Sequence, residues 1–178
     1  MNGRVDARAG DGAVPAVVLA GGRSRRMGGD DKALLTLDGR PIVAHVLDRL
    51  AGQAAPVAIN ANGAPDRFAS YGVDLLVDPI PGFVGPLAGV LAAMEWAAGM
   101  GADRVLSAAC DTPFFPLDLV SALEHQARST GKGITVAATC EPGGKVRWHS
   151  VFALWPVDRA ANLRAAIKGG ARKVTDYA

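Results

Sequence analysis

The sequence predicts an α/β protein: a three-layer α/β/α sandwich built on a mostly parallel sheet. Two observations carry this reading. Short apolar runs alternate with longer segments of helical periodicity along the whole chain. The early runs are also continuously apolar rather than alternating, as in strands buried on both faces.

Taken in order, "AVVLA" at 16–20 is the first strand. "PIVAHVLDRL" opens a helix near Pro41, with Ile42, Val46, Leu47 and Leu50 on one face. "PVAIN" at 56–60 is a second strand, followed by a short helix near 65–70 and the strand "DLLVD" at 74–78. The loop "DPIPGFVGP" leads into a helix from Leu87, "LAGVLAAMEWAA", whose almost wholly apolar surface predicts burial against the sheet. "RVLSAAC" at 104–110 is a central strand and "PLDLVSALEHQA" at 116–127 a helix. "GITVAAT" and "SVFALW" are later strands, and "DRAANLRAAIKGG" closes with a helix. One domain is expected over 15–178, with residues 1–14 a flexible charged tail.

Composition narrows the functional classes. The chain is 49% hydrophobic and 20% charged, with a formal net charge of +2. That charge is too small for a general nucleic-acid surface. No apolar run approaches the roughly 18 residues of a membrane helix, and the N-terminus lacks a signal-peptide core, so a cytoplasmic protein is expected. Cys110 and Cys140 form no CxxC pattern and His45, His125 and His149 are scattered, which points away from a zinc cluster or a disulfide framework.

Open α/β sheets bind ligands at the C-terminal ends of their strands. Four polar features fall there: the loop after Leu19, Asn60, Asp78 and Asp111. The loop "AGGRSRRMGGDDK" sets Arg23, Arg25, Arg26 and Lys32 among glycines that allow close backbone approach to phosphates. Lys32 is followed by Ala33, so this is not a Walker A loop, and the GxGxxG dinucleotide pattern is absent. Cys110 reads as a small buried hydrophobe and Trp96 as a core residue. Trp148, between Arg147 and His149, is the candidate for an aromatic wall.

"LAGGRSRRMGGDDKALL" resembles the signature of the nucleotide-diphosphate-sugar pyrophosphorylase-like nucleotidyltransferases, and more narrowly that of the molybdenum cofactor guanylyltransferases. The likeness continues in order through "GRPIVAHVLDRL", "VAINAN", "VDPIPGFVGPLAGVLAAM" and "CDTPFFPLDLVSAL". It implies a Rossmann-like sheet of the nucleotide-diphospho-sugar transferase type. It also implies GMP transfer from GTP to molybdenum-molybdopterin with Mg²⁺ as cofactor. On this resemblance Leu19, Ala20, Gly21 and Gly22 contact the guanine nucleotide, and Lys32, supported by Arg26, holds its phosphates. Asn60 and Asp78 hold the base and ribose end, Asp111 binds nucleotide and Mg²⁺, and Gly85–Gly89 borders the base pocket.

The implied partners are the nucleotide and pterin substrates, molybdenum-insertion proteins, a GTP-binding accessory protein and acceptor molybdoenzymes, with the chain itself a monomer. Relatives continue into an Asn-x-Asn-Thr-Pro motif, whereas "GGARKVTDYA" ends at Ala178, so the domain is expected to be short at its C-terminus. CMP transfer to the same acceptor and a non-catalytic GTP- or molybdopterin-binding relative are the competing readings.

Overall fold

The computed structural model describes residues 12–21, 32–82, 85–131 and 133–177. In chain order the elements begin with β1 (Ala16–Leu19), a short 3₁₀ turn (Lys32–Leu34), β2 (Thr36–Leu37), β3 (Arg40–Pro41) and α1 (Ile42–Leu50). β4 (Val57–Asn60), a 3₁₀ segment (Pro65–Tyr71), β5 (Asp74–Leu76), α2 (Pro86–Gly99) and β6 (Arg104–Ala109) follow. The remainder is α3 (Leu119–Thr130), β7 (Thr135–Cys140), β8 (Val146–Pro156) and α4 (Ala160–Lys168).

Six strands form one sheet in the order β5-β4-β1-β6-β8-β7. The first four run parallel, and β8 is antiparallel to both β6 and β7. Strand alternation divides the core between the two faces. Ala16, Val18, Ile59, Leu106 and Leu154 pack with Val43, Val46 and Leu50 of α1 and with Leu123 of α3. Val17, Ala58, Val105, Ala153 and Trp155 point the other way, toward Leu87, Leu91 and Met94 of α2 and Leu163 of α4. Helices therefore cover both faces, and the sandwich has three layers.

Each helix explains itself locally. Gly85, at φ 87°, turns the chain into α2, and Pro86 supplies a preset first helical residue. Nine of the 14 residues of α2 are buried, so the apolar surface read from the sequence is sunk against the sheet. Trp96 is only half-buried and donates from Nε1 to Asp74 Oδ2 at 3.0 Å. The buried face of α1 includes Val43, a position the periodicity reading left out, while Ile42 and Leu47 are partly buried. α3 starts at Leu119 rather than Pro116, because Pro116–Asp118 form the loop that enters it.

β8 is longer than its apolar half. Its inner part pairs with β6 from Arg104↔Pro156 to Ser107↔Ala153. Its outer part, Val146–His149, pairs only with β7, as Ala137↔His149 through Cys140↔Val146. Ser150, Val151 and Phe152 fall at a register shift between these stretches and face no β7 residue. The outer ribbon thus projects past the last β6 pairing, on the side where the parallel strands end. Among the described residues no helix is long and apolar enough to cross a membrane.

Candidate active site

The register lines up the C-terminal edge of the sheet. Leu19 pairs with Asn60 on one side and Ala109 on the other, and Asn60 pairs with Leu76. These four residues form one row across β5, β4, β1 and β6. Two residues further along each strand come Asp78, Asn62, Gly21 and Asp111. Four of the polar or glycine positions at this edge were picked out from sequence: Gly21, Asn60, Asp78 and Asp111. The edge is a consequence of in-register parallel pairing, which stops every strand at the same height.

Asn60 is the most enclosed of them, at 3% exposure. Its Nδ2 donates to Leu76 O at 3.2 Å and to Asp78 Oδ1 at 3.1 Å. Its backbone carbonyl accepts from Ala20 N at 2.9 Å. The amide oxygen faces two glycines. A Cβ on Gly21 would stand 3.6 Å from Asn60 Oδ1, and one on Gly89 only 2.2 Å from it. Gly89 is thus glycine because α2 rides directly on the Asn60 side chain. Asp78 is held a second time by Asn62, whose Nδ2 donates to Oδ2 at 2.7 Å.

Asp111 is exposed at the end of β6, with Thr112 Oγ1 donating to its Oδ1 at a long 3.4 Å. The loop behind it is fastened to α1 and to the turn that follows that helix. Arg49 Nε donates to Phe115 O, Gln53 Nε2 donates to Pro116 O at 3.2 Å, and Phe115 stacks at a tilt against Phe152, 5.3 Å between centroids. Cys110 is buried, as expected of a small core hydrophobe. Beside it, burial first and Cys110 second raise the pKa of Tyr71 above the ordinary phenol value.

Lys32 is exposed on the turn Lys32–Leu34, which is anchored by the buried Ala33. Gly22 and Arg26 lie outside the described residues. On the outer ribbon, Arg147 pairs with Glu141 at 2.6 Å and His149 with Thr139 Oγ1 at 3.0 Å. Trp148 stays 65% exposed. Sequence reasoning missed Asn62 and Gly89 as individual site residues. The spacing "NAN" at a strand end carried the first signal, since alternate residues share a face.

Among the described residues no cluster of three or more His, Cys, Asp or Glu side chains forms a metal cage. A mostly parallel sheet whose strand ends gather carboxylates, amides and a glycine, in a chain whose first strand is followed in sequence by a glycine-rich stretch, has the arrangement of a nucleotide-binding α/β protein. The family described as MobA-like NTP transferase domain matches residues 16–177, and the chain belongs to that family. A molybdenum cofactor guanylyltransferase of Bradyrhizobium sp. is 45% identical over 93% of this chain and 77% of its own length. One from Rhodopseudomonas palustris is 50% identical over 87% of this chain and 72% of its own. The crystal structure of molybdopterin-guanine dinucleotide biosynthesis protein A from Archaeoglobus fulgidus shares the fold. Its TM-score is 0.68 at 23% identity, covering 92% of this chain and 77% of that one.

Proposed function

We propose that the protein transfers GMP from GTP to the terminal phosphate of molybdenum-molybdopterin, forming the guanine dinucleotide cofactor and releasing pyrophosphate. The observation that carries this reading is the 45–50% identity to guanylyltransferases over most of the chain. Transfer of CMP is not favoured by those relatives, and an exposed carboxylate at the end of β6 argues for catalysis rather than bare binding.

The acceptor is a phosphate monoester, anionic near neutral pH, so no strong general base is required. Its oxygen attacks the α-phosphorus, the bond to the β-phosphate oxygen breaks, and pyrophosphate leaves with that electron pair. The protein must hold donor and acceptor in line and damp the repulsion between their charges. Ala20 donates its N–H to Asn60 O, so its part in holding a nucleotide falls to its carbonyl. Leu19 and the glycines Gly21 and Gly22 let the nucleotide lie against the backbone. Asn60 and Asp78 take the base and ribose end, while Lys32 and Arg26 take the β- and γ-phosphates.

Asp111 suits Mg²⁺, which characteristically takes one or two carboxylates and completes its shell with water and substrate phosphates. Its exposed carboxylate leaves oxygen lone pairs turned to solvent. When bound, the ion neutralises phosphate charge and fixes the geometry of the transfer. Trp148 and the ribbon that carries it form the pterin side. We place the enzyme in the cytoplasm as a monomer. Its protein partners in this reading are molybdenum-insertion proteins, an accessory GTP-binding protein and the acceptor molybdoenzymes.

Calorimetric titration with GTP, ATP, CTP and UTP in the presence of Mg²⁺ tests the reading. GTP should bind tightest. Equal affinities, or tighter CTP, overturn the guanylyl assignment.

A further inference from the structure

We infer that Asn62 is a positioning residue that aims the Asp78 carboxylate at the ribose hydroxyls of the nucleotide, a reading that rests on the proposed GTP site. Asp78 stands past the last paired residue of β5, Leu76, so the sheet does not hold it. Side chains do. Asn62 Nδ2 donates to Asp78 Oδ2 at 2.7 Å, and the backbone N–H of Asp78 returns a bond to Asn62 Oδ1 at 3.1 Å. The two residues thereby close a ring that fixes both the carboxylate and its own backbone. Asn60 Nδ2 secures the other oxygen, Oδ1, at 3.1 Å.

Asn62 is itself braced. Its carbonyl accepts from Arg67 Nη2, and the Arg67 guanidinium lies 4.9 Å above the ring of Phe68, which is buried in the core. Gly63 at φ 99° makes the turn that brings Asn62 and Arg67 together. The chain of contacts runs from core to Phe68, Arg67, Asn62 and Asp78. A carboxylate that takes one N–H at each oxygen is held in one orientation, with lone pairs left for further donors. At the edge of a nucleotide site the donors such a group meets are the vicinal hydroxyls of a ribose. A charge-assisted bond of this kind is worth about tenfold or more in affinity.

The test compares GTP with 2′,3′-dideoxy-GTP, which lacks both hydroxyls, by calorimetry with Mg²⁺ present. The wild-type protein should prefer GTP by about tenfold or more. In N62A that preference should collapse toward one, with dideoxy-GTP affinity little changed. A merely structural role for Asn62 would weaken both ligands alike. N62D keeps the size of the side chain and sets a second carboxylate against Asp78. It should lose the preference at neutral pH and regain part of it as pH falls, when the pair takes up a proton. Absence of GTP binding by the wild type overturns the proposed function instead. With GTP bound normally, a wild-type ratio near one, or an undiminished ratio in N62A or N62D, overturns the inference.

Discussion

Replacing Gly89 by alanine sets helix propensity against packing, and the geometry decides between them. Alanine in a helix interior is favoured over glycine by about 1 kcal/mol. The added Cβ, however, would stand 2.2 Å from Asn60 Oδ1, 2.9 Å from its Cγ and 3.0 Å from Leu19 Cδ2. Asn60 cannot swing aside without losing its bonds to Leu76 and Asp78. Stranding that buried amide costs about 1–3 kcal/mol, and moving α2 outward instead costs about 1–3 kcal/mol of overpacking. Set against the propensity gain, the net loss is about 1 kcal/mol, which lowers Tm by about 2–4 °C for a chain of this size. GTP affinity should fall with it, because Asn60 is displaced. Gly99, at the end of the same helix, has nothing within 4 Å of its would-be Cβ. G99A is therefore the control, and it should be neutral or slightly stabilising. Thermal melts and GTP titrations of both variants make the comparison. A G89A protein that melts at or above wild type with unchanged GTP affinity would refute the close approach of α2 to Asn60.

Three further outcomes follow from the site and the core. If Asp111 holds Mg²⁺ as proposed, D111N should retain its fold and lose most magnesium-dependent turnover, because a neutral amide cannot offset the ion's charge; near-normal rates across a magnesium series would overturn that role. On the role proposed for Lys32, at both the resting polyphosphate and the departing pyrophosphate, K32A should raise KM for GTP and slow single-turnover chemistry at saturating GTP; an unchanged chemical rate would confine it to ground-state binding. Ser107 Oγ accepts from the fully buried Trp155 Nε1 at 2.8 Å and donates to Val151 O at 2.6 Å. S107A should cost about 1–3 kcal/mol in urea unfolding by orphaning that indole, and a wild-type midpoint would show that another acceptor replaces it.

The α2 helix is legible in the sequence because its apolar residues leave no polar face, and only a buried position tolerates that. β1, β4 and β6 are legible for the same reason. The β2–β3 hairpin is harder, since two-residue strands carry no periodicity. Its signal is the Asp38-Gly39 pair, both at positive φ (48° and 74°), a combination that closes tight hairpins. The outer half of β8 escapes because "VRWHS" alternates polar and aromatic residues without an apolar run. In the site, Asn60, Asp78 and Asp111 are visible as polar residues at strand ends. Asn62 shows only as the second asparagine of "NAN", on the same face as Asn60, and Gly89 not at all, because their roles depend on which side chain lies across the gap.

The register shift in β8 divides the molecule into two regions of unequal tolerance. In the parallel half, a slip of one residue in any strand would turn every side chain to the wrong face and break up the row at the strand ends. The outer ribbon is joined to that half across Ser150–Phe152, where the β7 ladder is already interrupted. Its turn at Glu141–Lys145 can lengthen, shorten or change composition without altering any pairing of β1, β4, β5 and β6. Over evolutionary time, substitutions and small insertions should therefore accumulate in the ribbon while the strand ends stay fixed, letting one surface of the protein explore new ligands as the other keeps the same nucleotide.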